Sequence, residues 1–236
     1  MKNGNASEHQ TMGRILRIAC ATALAVAFTV SLPQPAHADN VTPPPVPANI
    51  KVEPGNKAFL VGHAVGTQNY ICLPCPNPST ATCPDTSGLA WILFTPEATL
   101  FKFDDDTKQL ITHYFSPNLS PIPNLIPPES IGTIRATWQH SRDTSTVWAK
   151  AIGSATFSTD PDFVESGAVA WLLLKVVGAQ DGPTGGHTLS DTTFVQRLNT
   201  SGGVAPSTGC TSSADVGHQA FEDYTADYFF YKADSN

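Results

Sequence analysis

Apolar and polar residues alternate most regularly between residues 132 and 150. Two arms rich in β-branched and aromatic residues flank a polar turn at residues 141–144, a pattern typical of two paired strands. This register places Trp138 opposite Val147. Because side chains alternate between the two faces of a strand, one face of the hairpin is predicted to be apolar. That face consists of Ile134, Ala136, Trp138, Val147 and Ala149, with Ala136 opposite Ala149.

Short β-prone runs separated by turn signals continue along the rest of the chain. Residues 168–177 are nearly all apolar and predict a strand buried on both faces. Residues 118–129 contain four prolines and predict a covering loop, whereas residues 213–221, capped by Ser212 or Ser213, predict a short helix. We therefore predict a single all-β domain, an antiparallel β-sandwich or barrel of about ten strands with one short C-terminal helix.

Residues 1–38 predict a signal peptide. Basic residues precede an apolar run at residues 18–32, and residues 36–38 form an A-x-A cleavage site. The apolar run is shorter than the ~20 residues that a membrane-spanning helix needs, so no membrane span is expected. Residues 39–47 are proline-rich and predict a linker, which the all-β domain follows at residues 48–236. We expect a secreted protein, either extracellular or periplasmic.

The charge balance narrows the choice of partner. The whole chain has 13 Lys and Arg, 20 Asp and Glu, and a formal net charge of -7. Loss of residues 1–38 removes three basic residues and one acidic residue, which leaves a formal charge of -9. Binding to a phosphate backbone depends on clustered Lys and Arg. We therefore expect no nucleic-acid partner.

Four cysteines follow the predicted signal peptide: Cys72, Cys75, Cys83 and Cys210. An even number of cysteines in an exported chain indicates two disulfide bonds. Four cysteines allow three pairings. The local pairing of Cys75 with Cys83 leaves Cys72 to meet Cys210. The alternative is a zinc site, in which His63 or His113 completes a set of three cysteine ligands.

Three strings of residues carry a family resemblance. TWQHSRDTSTVWAK, together with GHAVGTQNYIC before it and LLLKVVGAQDGPTGG after it, resembles a family of secreted bacterial and fungal proteins catalogued as a domain of unknown function. The resemblance extends from about Pro47 to Lys232 and implies no established activity. It implies that Cys72 and Cys210 form the family's disulfide and that the loop between Cys75 and Cys83 is an addition.

Some relatives in this family carry a malate dehydrogenase label, which the Gly-rich segment at residues 178–186 can test. A dinucleotide fingerprint needs G-x-G-x-x-G between a strand and a helix. Residues 178–186 have a different glycine spacing, contain Pro183, and precede a β-prone run at residues 192–198. Without a Rossmann unit we predict no nicotinamide cofactor, and we expect no other cofactor and no bound metal.

Two hydrolase chemistries match some of the residue types. Ser141 lies between His140 and Asp143, but sequence neighbours rarely reach the geometry of a catalytic triad, and the chain has no G-x-S-x-G motif. A glycosidase needs two carboxylates on opposite sides of a bond. An acidic chain supplies many surface carboxylates that have no such role. Those available here include Glu97, Asp143, Asp181 and Asp227.

A binding role needs only an exposed aromatic platform and a few polar groups on a rigid sheet. Trp148 is the aromatic residue on the polar face of the hairpin, where Arg135, Gln139 and Lys150 accompany it. The alternative is that another sheet or the proline-rich loop covers Trp148. Our leading hypothesis is a non-catalytic exported domain that binds a glycan or a cell-envelope component. A secreted, glycosidase-like hydrolase is the alternative.

The tip of the hairpin forms the second part of the predicted site. Polar side chains crowd one turn, and glycines around Asp181 would let a second loop approach it closely. The alternative is that Asp143 caps the turn and Arg142 pairs with a carboxylate, so that both only hold the hairpin. The predicted ligand-binding residues are Gln139, His140, Arg142, Asp143, Trp148 and Asp181.

Overall fold

A computed structural model describes residues 41–75, 88–102, 105–153 and 156–234. The predicted signal peptide and Cys83 lie outside these ranges. Within them the chain forms nine strands, and no helix has the length and hydrophobicity that crossing a bilayer requires. The strands are β1 (Asn56–Pro74), β2 (Leu89–Lys102), β3 (Asp105–Pro117), β4 (Ile134–His140), β5 (Thr146–Ala151), β6 (Phe157–Ser158), β7 (Trp171–Gln180), β8 (Thr192–Gly202) and β9 (Gln219–Ala233).

The strands close into a barrel. Each strand from β1 to β4 pairs antiparallel with the next one, β5 pairs with β7, and β7 pairs with β8. β8 then pairs with β9, and β9 returns to pair with β1. The short strand β6 adds to the edge of β7. The all-β prediction is therefore confirmed, and of its two alternatives the fold is the barrel, with eight antiparallel strands and one extra strand.

The central hairpin has the predicted register. Trp138 pairs with Val147, and Ala136 pairs with Ala149. Its apolar face points into the barrel, where Trp138 and Val147 are fully buried. Residues from every side of the barrel complete this inner cluster, among them Ala64, Leu100, Ile111, Leu174, Val195 and Phe230.

The predicted C-terminal helix is wrong. Ser213–Asp215 form a single 3-10 turn capped by Ser212, and β9 begins at Gln219. The turn ends where Gly217 adopts a φ of 90°, a conformation that favours glycine. From Gln219 to Ala233 the chain pairs with β1 along nearly its whole length. These tertiary contacts override the local helix preference of the segment.

A second apolar layer covers the outside of β7, β8 and β9. Ile50, at the end of a short 3-10 turn, is fully buried there beside Trp171. Val41 and Val46 of the proline-rich segment pack against the same layer. The segment predicted to be a linker is therefore packed on the barrel from Val41 onward, because its valines share the apolar layer.

The two ends of the barrel differ. At the closed end, which carries the β4–β5 turn (residues 141–145), Leu189 from the β7–β8 loop is fully buried in the inner cluster. At the open end, β3 stops at Pro117 and β4 begins at Ile134. An apolar side chain thus plugs the interior at the closed end.

The disulfide bond between Cys72 and Cys210 is present, as predicted. It joins residues 138 positions apart and fastens the end of β1 to the segment before β9. Because the sulfur of Cys72 is bonded to Cys210, it cannot serve as a thiolate ligand in the alternative zinc site. The predicted pairing of Cys75 with Cys83 involves Cys83, which lies outside the described residues.

Candidate functional site

The barrel interior contains a cavity of about 440 Å³ at the open end. This volume lies in the range of small-molecule sites. Its lining reaches the surface at Ile134, whose exposed fraction is 54%, so the cavity is accessible from solvent. Most of the wall is apolar and includes Leu93, Pro96, Phe115, Ala136, Ala149 and Leu172.

Arg197 brings a positive charge to the cavity wall from β8. Its Nε and Nη2 atoms donate hydrogen bonds to the carbonyl of Ala170 at 3.2 and 2.8 Å. No carboxylate of the described residues lies within ion-pairing distance of its guanidinium. Burial raises the pKa of Tyr70, and the nearby charge of Arg197 opposes that rise. Arg197 therefore acts electrostatically on its neighbours inside the barrel.

His113 is a neutral, buried wall residue on β3. Burial lowers the pKa of His113 to about 3, so the ring carries no charge near neutral pH. Its Nδ1 lies 2.8 Å from the carbonyl oxygen of Thr137 and must donate to it, which leaves Nε2 as an acceptor. The ring stacks on Trp138 with centroids 4.3 Å apart. The bond to Thr137 thus fixes the tautomer of His113, and the stack on Trp138 fixes the position of its ring.

Two residues of the cavity wall carry a buried donor that lacks a well-placed hydrogen-bond partner among the described residues. Trp138 is fully buried, yet its Nε1 meets no hydrogen-bond acceptor among the described residues. Gln68 is 1% exposed, and its Nε2 has no acceptor in good hydrogen-bonding geometry within the same part of the chain. The Gln68 amide is close enough to the Tyr224 hydroxyl to oppose the rise in pKa that burial causes there. Unpaired donors of this kind cost free energy, and a ligand acceptor would remove that cost.

The charges of the cavity lining have one sign. Among the described residues, three that line the cavity are cations, Arg135, Lys150 and Arg197, and none is Asp or Glu. Glu129 of the proline-rich loop pairs with two of them, at 2.6 Å from Arg135 Nε and 2.7 Å from Lys150 Nζ. Burial raises the pKa of Glu129, but the bonds from Lys150 and Arg135 outweigh it, so the pKa lies below its usual value. Of the three cations, Arg197 has no such partner in the part of the chain that the structure describes.

Replacing Glu129 by glutamine is expected to lower the free energy of unfolding by about 2 kcal/mol. The Glu129 side chain is only 1% exposed, and its loss leaves Arg135 and Lys150 without their shared anion. Urea denaturation at pH 7 measures the change. Glu97→Gln, at an exposed position, is the matched control. An unchanged unfolding midpoint in the Glu129 variant would contradict the importance of this ion pair.

The hairpin tip that the sequence predicted as a site lies at the closed end, away from the cavity. Asp143 accepts hydrogen bonds there from the backbone N and Oγ of Ser145 at 3.0 and 2.7 Å. It also accepts from the backbone N and Oγ1 of Thr188 at 3.0 and 2.6 Å. His140 Nδ1 lies 3.0 Å from the same carboxylate. These contacts match the alternative in which Asp143 holds the turn.

The Gly-rich loop does meet the hairpin tip, as predicted. A Cβ atom on Gly182 would collide with the carbonyl oxygen of Asp143, and one on Gly186 would collide with the Asp143 side chain. Asp181 itself accepts a hydrogen bond from Ser190 within its own loop. The close approach positions the loop that carries Leu189 into the barrel, so it has a structural role. Ligand binding at this tip stays a prediction.

Trp148 does not form an exposed platform. It is 3% exposed, and its Nε1 donates to Ser116 Oγ at 2.9 Å. The residue paired with it, Gly178, also bridges Pro121 of the proline-rich loop, so this loop runs over the same face. Cover by the loop was the alternative that the sequence left open. Of the remaining predicted residues, Gln139 bonds to Thr146 across the hairpin and Arg142 is exposed at the closed end.

The carboxylates proposed for hydrolysis do not converge on the cavity. Asp227 lies opposite His63 on the pair β9 and β1, 2.8 Å from the His63 Nδ1, and accepts from Asn199 at 2.8 Å. Neither Asp227 nor Glu97 lines the cavity. Among the described residues, no hydrogen bond joins Ser141 Oγ to His140, as an activated serine would need.

Comparison with known proteins places the chain in a family. Residues 53–232 match the family model described as Protein of unknown function (DUF3455). The chain belongs to the DUF3455 family. The match covers most of the DUF3455 barrel, from just before β1 to the penultimate residue of β9. No curated protein and no solved structure shows significant similarity to this DUF3455 chain.

Sequence reasoning missed the polar residues of the cavity as a site. Gln68, His113 and Arg197 lie on three different strands and meet only inside the barrel. One signal was present: each occupies the inward position of a strand whose other inward residues are mostly small or apolar. A polar residue at such a position is a candidate for a buried site in this DUF3455 domain.

Proposed function

We propose that the DUF3455 domain is an exported, non-catalytic binding protein that encloses a small, mainly apolar ligand in the open end of its barrel. The observation that carries this proposal is the cavity of about 440 Å³, with apolar walls, fixed aromatic rings and unpaired donors. Barrels of eight strands commonly hold one small ligand in this way. The disulfide and the predicted signal peptide at residues 1–38 support export.

The ligand proposed here is a cell-envelope component with an apolar body rather than a glycan. A glycan-binding surface was expected around an exposed Trp148, and Trp148 is buried. The cavity walls offer mainly alkyl and aromatic surface, which favours apolar molecules over hydrated sugars. Since no Asp or Glu of the described ranges lines the cavity, paired carboxylates of the kind a glycosidase uses are absent from this lining. Binding without chemistry is therefore the function that this geometry supports best.

The neutral fluorescent probe N-phenyl-1-naphthylamine is expected to bind the purified domain with increased emission. Filling the cavity with Ala136→Phe should weaken probe binding at least about tenfold, since the added ring occupies the ligand's volume. Titration by fluorescence measures both affinities. Ala233→Phe, at an exposed position on β9, is the matched control and should bind like the parent protein.

A second variant keeps the test decisive. If Ala136→Phe melts at a much lower temperature, Ala151→Phe at the exposed rim of the cavity replaces it. Undiminished probe binding in a correctly folded cavity variant would overturn the proposal. A loss of binding in Arg142→Gln, with the cavity variants unaffected, would place the ligand at the hairpin tip instead.

A further inference from the structure

We propose that the ligand carries a carboxylate and that Arg197, the Gln68 amide and the Trp138 indole hold it inside the barrel. This inference rests on the proposed function, since it assigns a ligand class to the same cavity. The expected ligands are monocarboxylates with an apolar chain or ring system.

Arg197 provides the charge for this recognition. Guanidinium has five N–H donors, and the two bonds to the Ala170 carbonyl leave three of them for a ligand. Its position in the cavity wall, with no carboxylate partner among the described residues, leaves its charge unneutralised by protein. The planar fork of arginine matches a carboxylate with two parallel hydrogen bonds. An anionic oxygen group is therefore the natural partner of Arg197.

Gln68 and Trp138 indicate the same chemistry independently of charge. Both residues line the cavity, and each has a buried N–H group for which the described residues supply no acceptor in good hydrogen-bonding geometry. Only an acceptor atom satisfies such a donor, and an ammonium group or an alkyl chain would leave it unpaired. A carboxylate has two oxygens and about four acceptor sites, enough for Arg197 and the unpaired donors together. The donor set thus selects an oxygen-rich anion.

The surrounding charges favour an anion over a cation. Arg135 and Lys150 add two positive charges to the lining, and Glu129 offsets one of them. His113 is neutral near pH 7, so it neither repels nor neutralises a ligand charge. Glu222 lies close enough to Tyr70 to raise its pKa, but it does not line the cavity. The low-polarity walls strengthen each of these interactions relative to water.

The experiment is displacement of bound N-phenyl-1-naphthylamine at pH 8 by three molecules of equal chain length. Decanoate, decanol and decyltrimethylammonium differ in the head group, and decanoate is fully ionised at this pH. Decanoate is expected to bind at least about tenfold more tightly than decanol, because charge-assisted hydrogen bonds add to the apolar contact. The cationic molecule should bind most weakly.

Variants connect this preference to the named residues. Arg197→Gln should reduce the preference for decanoate over decanol to about twofold or less, whereas Arg197→Lys should keep part of it. Gln68→Leu should weaken decanoate severalfold and decanol less, because a hydrogen bond to a carboxylate oxygen is stronger than one to a hydroxyl oxygen. Lys57→Gln is the matched control, because it removes one positive charge at the start of β1, away from the cavity. It should bind decanoate and decanol with the affinities of the parent protein.

The possible failures are distinguishable. If the probe binds in the cavity but decanol matches decanoate, the carboxylate assignment is wrong and the proposed function stands. If the probe does not bind in the cavity at all, the proposed function fails and this inference fails with it. If the Arg197→Gln variant melts far below the parent protein, the Gln68→Leu variant is used instead. An equal change in its affinity for decanoate and for decanol overturns the carboxylate assignment.

Discussion

Replacing Cys72 and Cys210 together by alanine is expected to lower the free energy of unfolding by about 4–5 kcal/mol. The bond closes a loop of 138 residues, and in the chain-entropy model a loop of this size restricts the unfolded chain strongly. Both half-cystines are buried, so alanine avoids placing a new polar group in the core. Urea denaturation with linear extrapolation gives the difference in free energy.

The double substitution is a sharper test than a reducing agent. Reduction would act on every disulfide of the chain, whereas the substitution removes only the bond between β1 and the segment before β9. The single variants Cys72→Ala and Cys210→Ala serve as comparisons, since each also breaks the bond. A loss of less than about 1 kcal/mol in the double variant would show that the unfolded chain is already compact.

Replacing Asp143 by alanine is expected to lower the free energy of unfolding by about 3–4 kcal/mol. The carboxylate accepts hydrogen bonds from two backbone N–H groups and two hydroxyls of Ser145 and Thr188. Bonds to a charged group contribute about 1.5–3 kcal/mol each, although bonds in one network are not additive. The substitution also releases the loop that carries Leu189 into the barrel. Thermal melting and urea denaturation report the loss.

The ionisation of Asp143 gives this prediction a pH signature. Burial raises the pKa of Asp143, but the hydrogen bonds from Thr188 and Ser145 outweigh it and hold the pKa well below its usual range. A depressed carboxyl pKa stabilises the fold above the unfolded value of about 3.9, and this stabilisation disappears as pH falls below it. The parent protein should therefore lose stability more steeply than Asp143→Ala between about pH 4 and pH 2.

Asp143→Asn separates the charge from the geometry, because it keeps one acceptor oxygen. We expect it to lie between the parent protein and the alanine variant in stability. An unchanged melting temperature with lost probe binding in Asp143→Ala would contradict the structural role. That outcome would return the ligand site to the hairpin tip that the sequence favoured.

The local structure of the central hairpin could be predicted from sequence because its cause is local. Alternation and turn residues fix which side chains share a face, and the observed pairs of Trp138 with Val147 and Ala136 with Ala149 follow from them. Barrel closure depends instead on β5 meeting β7 and β9 meeting β1. Nothing in the individual strands specifies these partners. The choice between sandwich and barrel therefore needed the three-dimensional structure.

The residues of the candidate site, like the partners that close the barrel, depend on contacts between distant parts of the chain. Sequence reasoning groups residues that are neighbours in the chain, so it selected the polar cluster of His140, Arg142 and Asp143. The cavity groups Gln68, His113 and Arg197, which are far apart in the chain and come together because each points inward from its strand. The prediction of a helix at residues 213–221 is wrong for a related reason. Pairing with the distant strand β1 makes the chain extended from Gln219 onward.

The seam between the first and last strands also determines when the domain can finish folding. Asn56 pairs with Ala233, and Ile71 pairs with Gln219, so each contact joins opposite ends of the domain. Contacts this distant in sequence form slowly, and the barrel stays open until the 15 residues of β9 have been synthesised. A premature stop before Gln219 would leave β1 and β8 with two unpaired edges, which invite pairing with other chains.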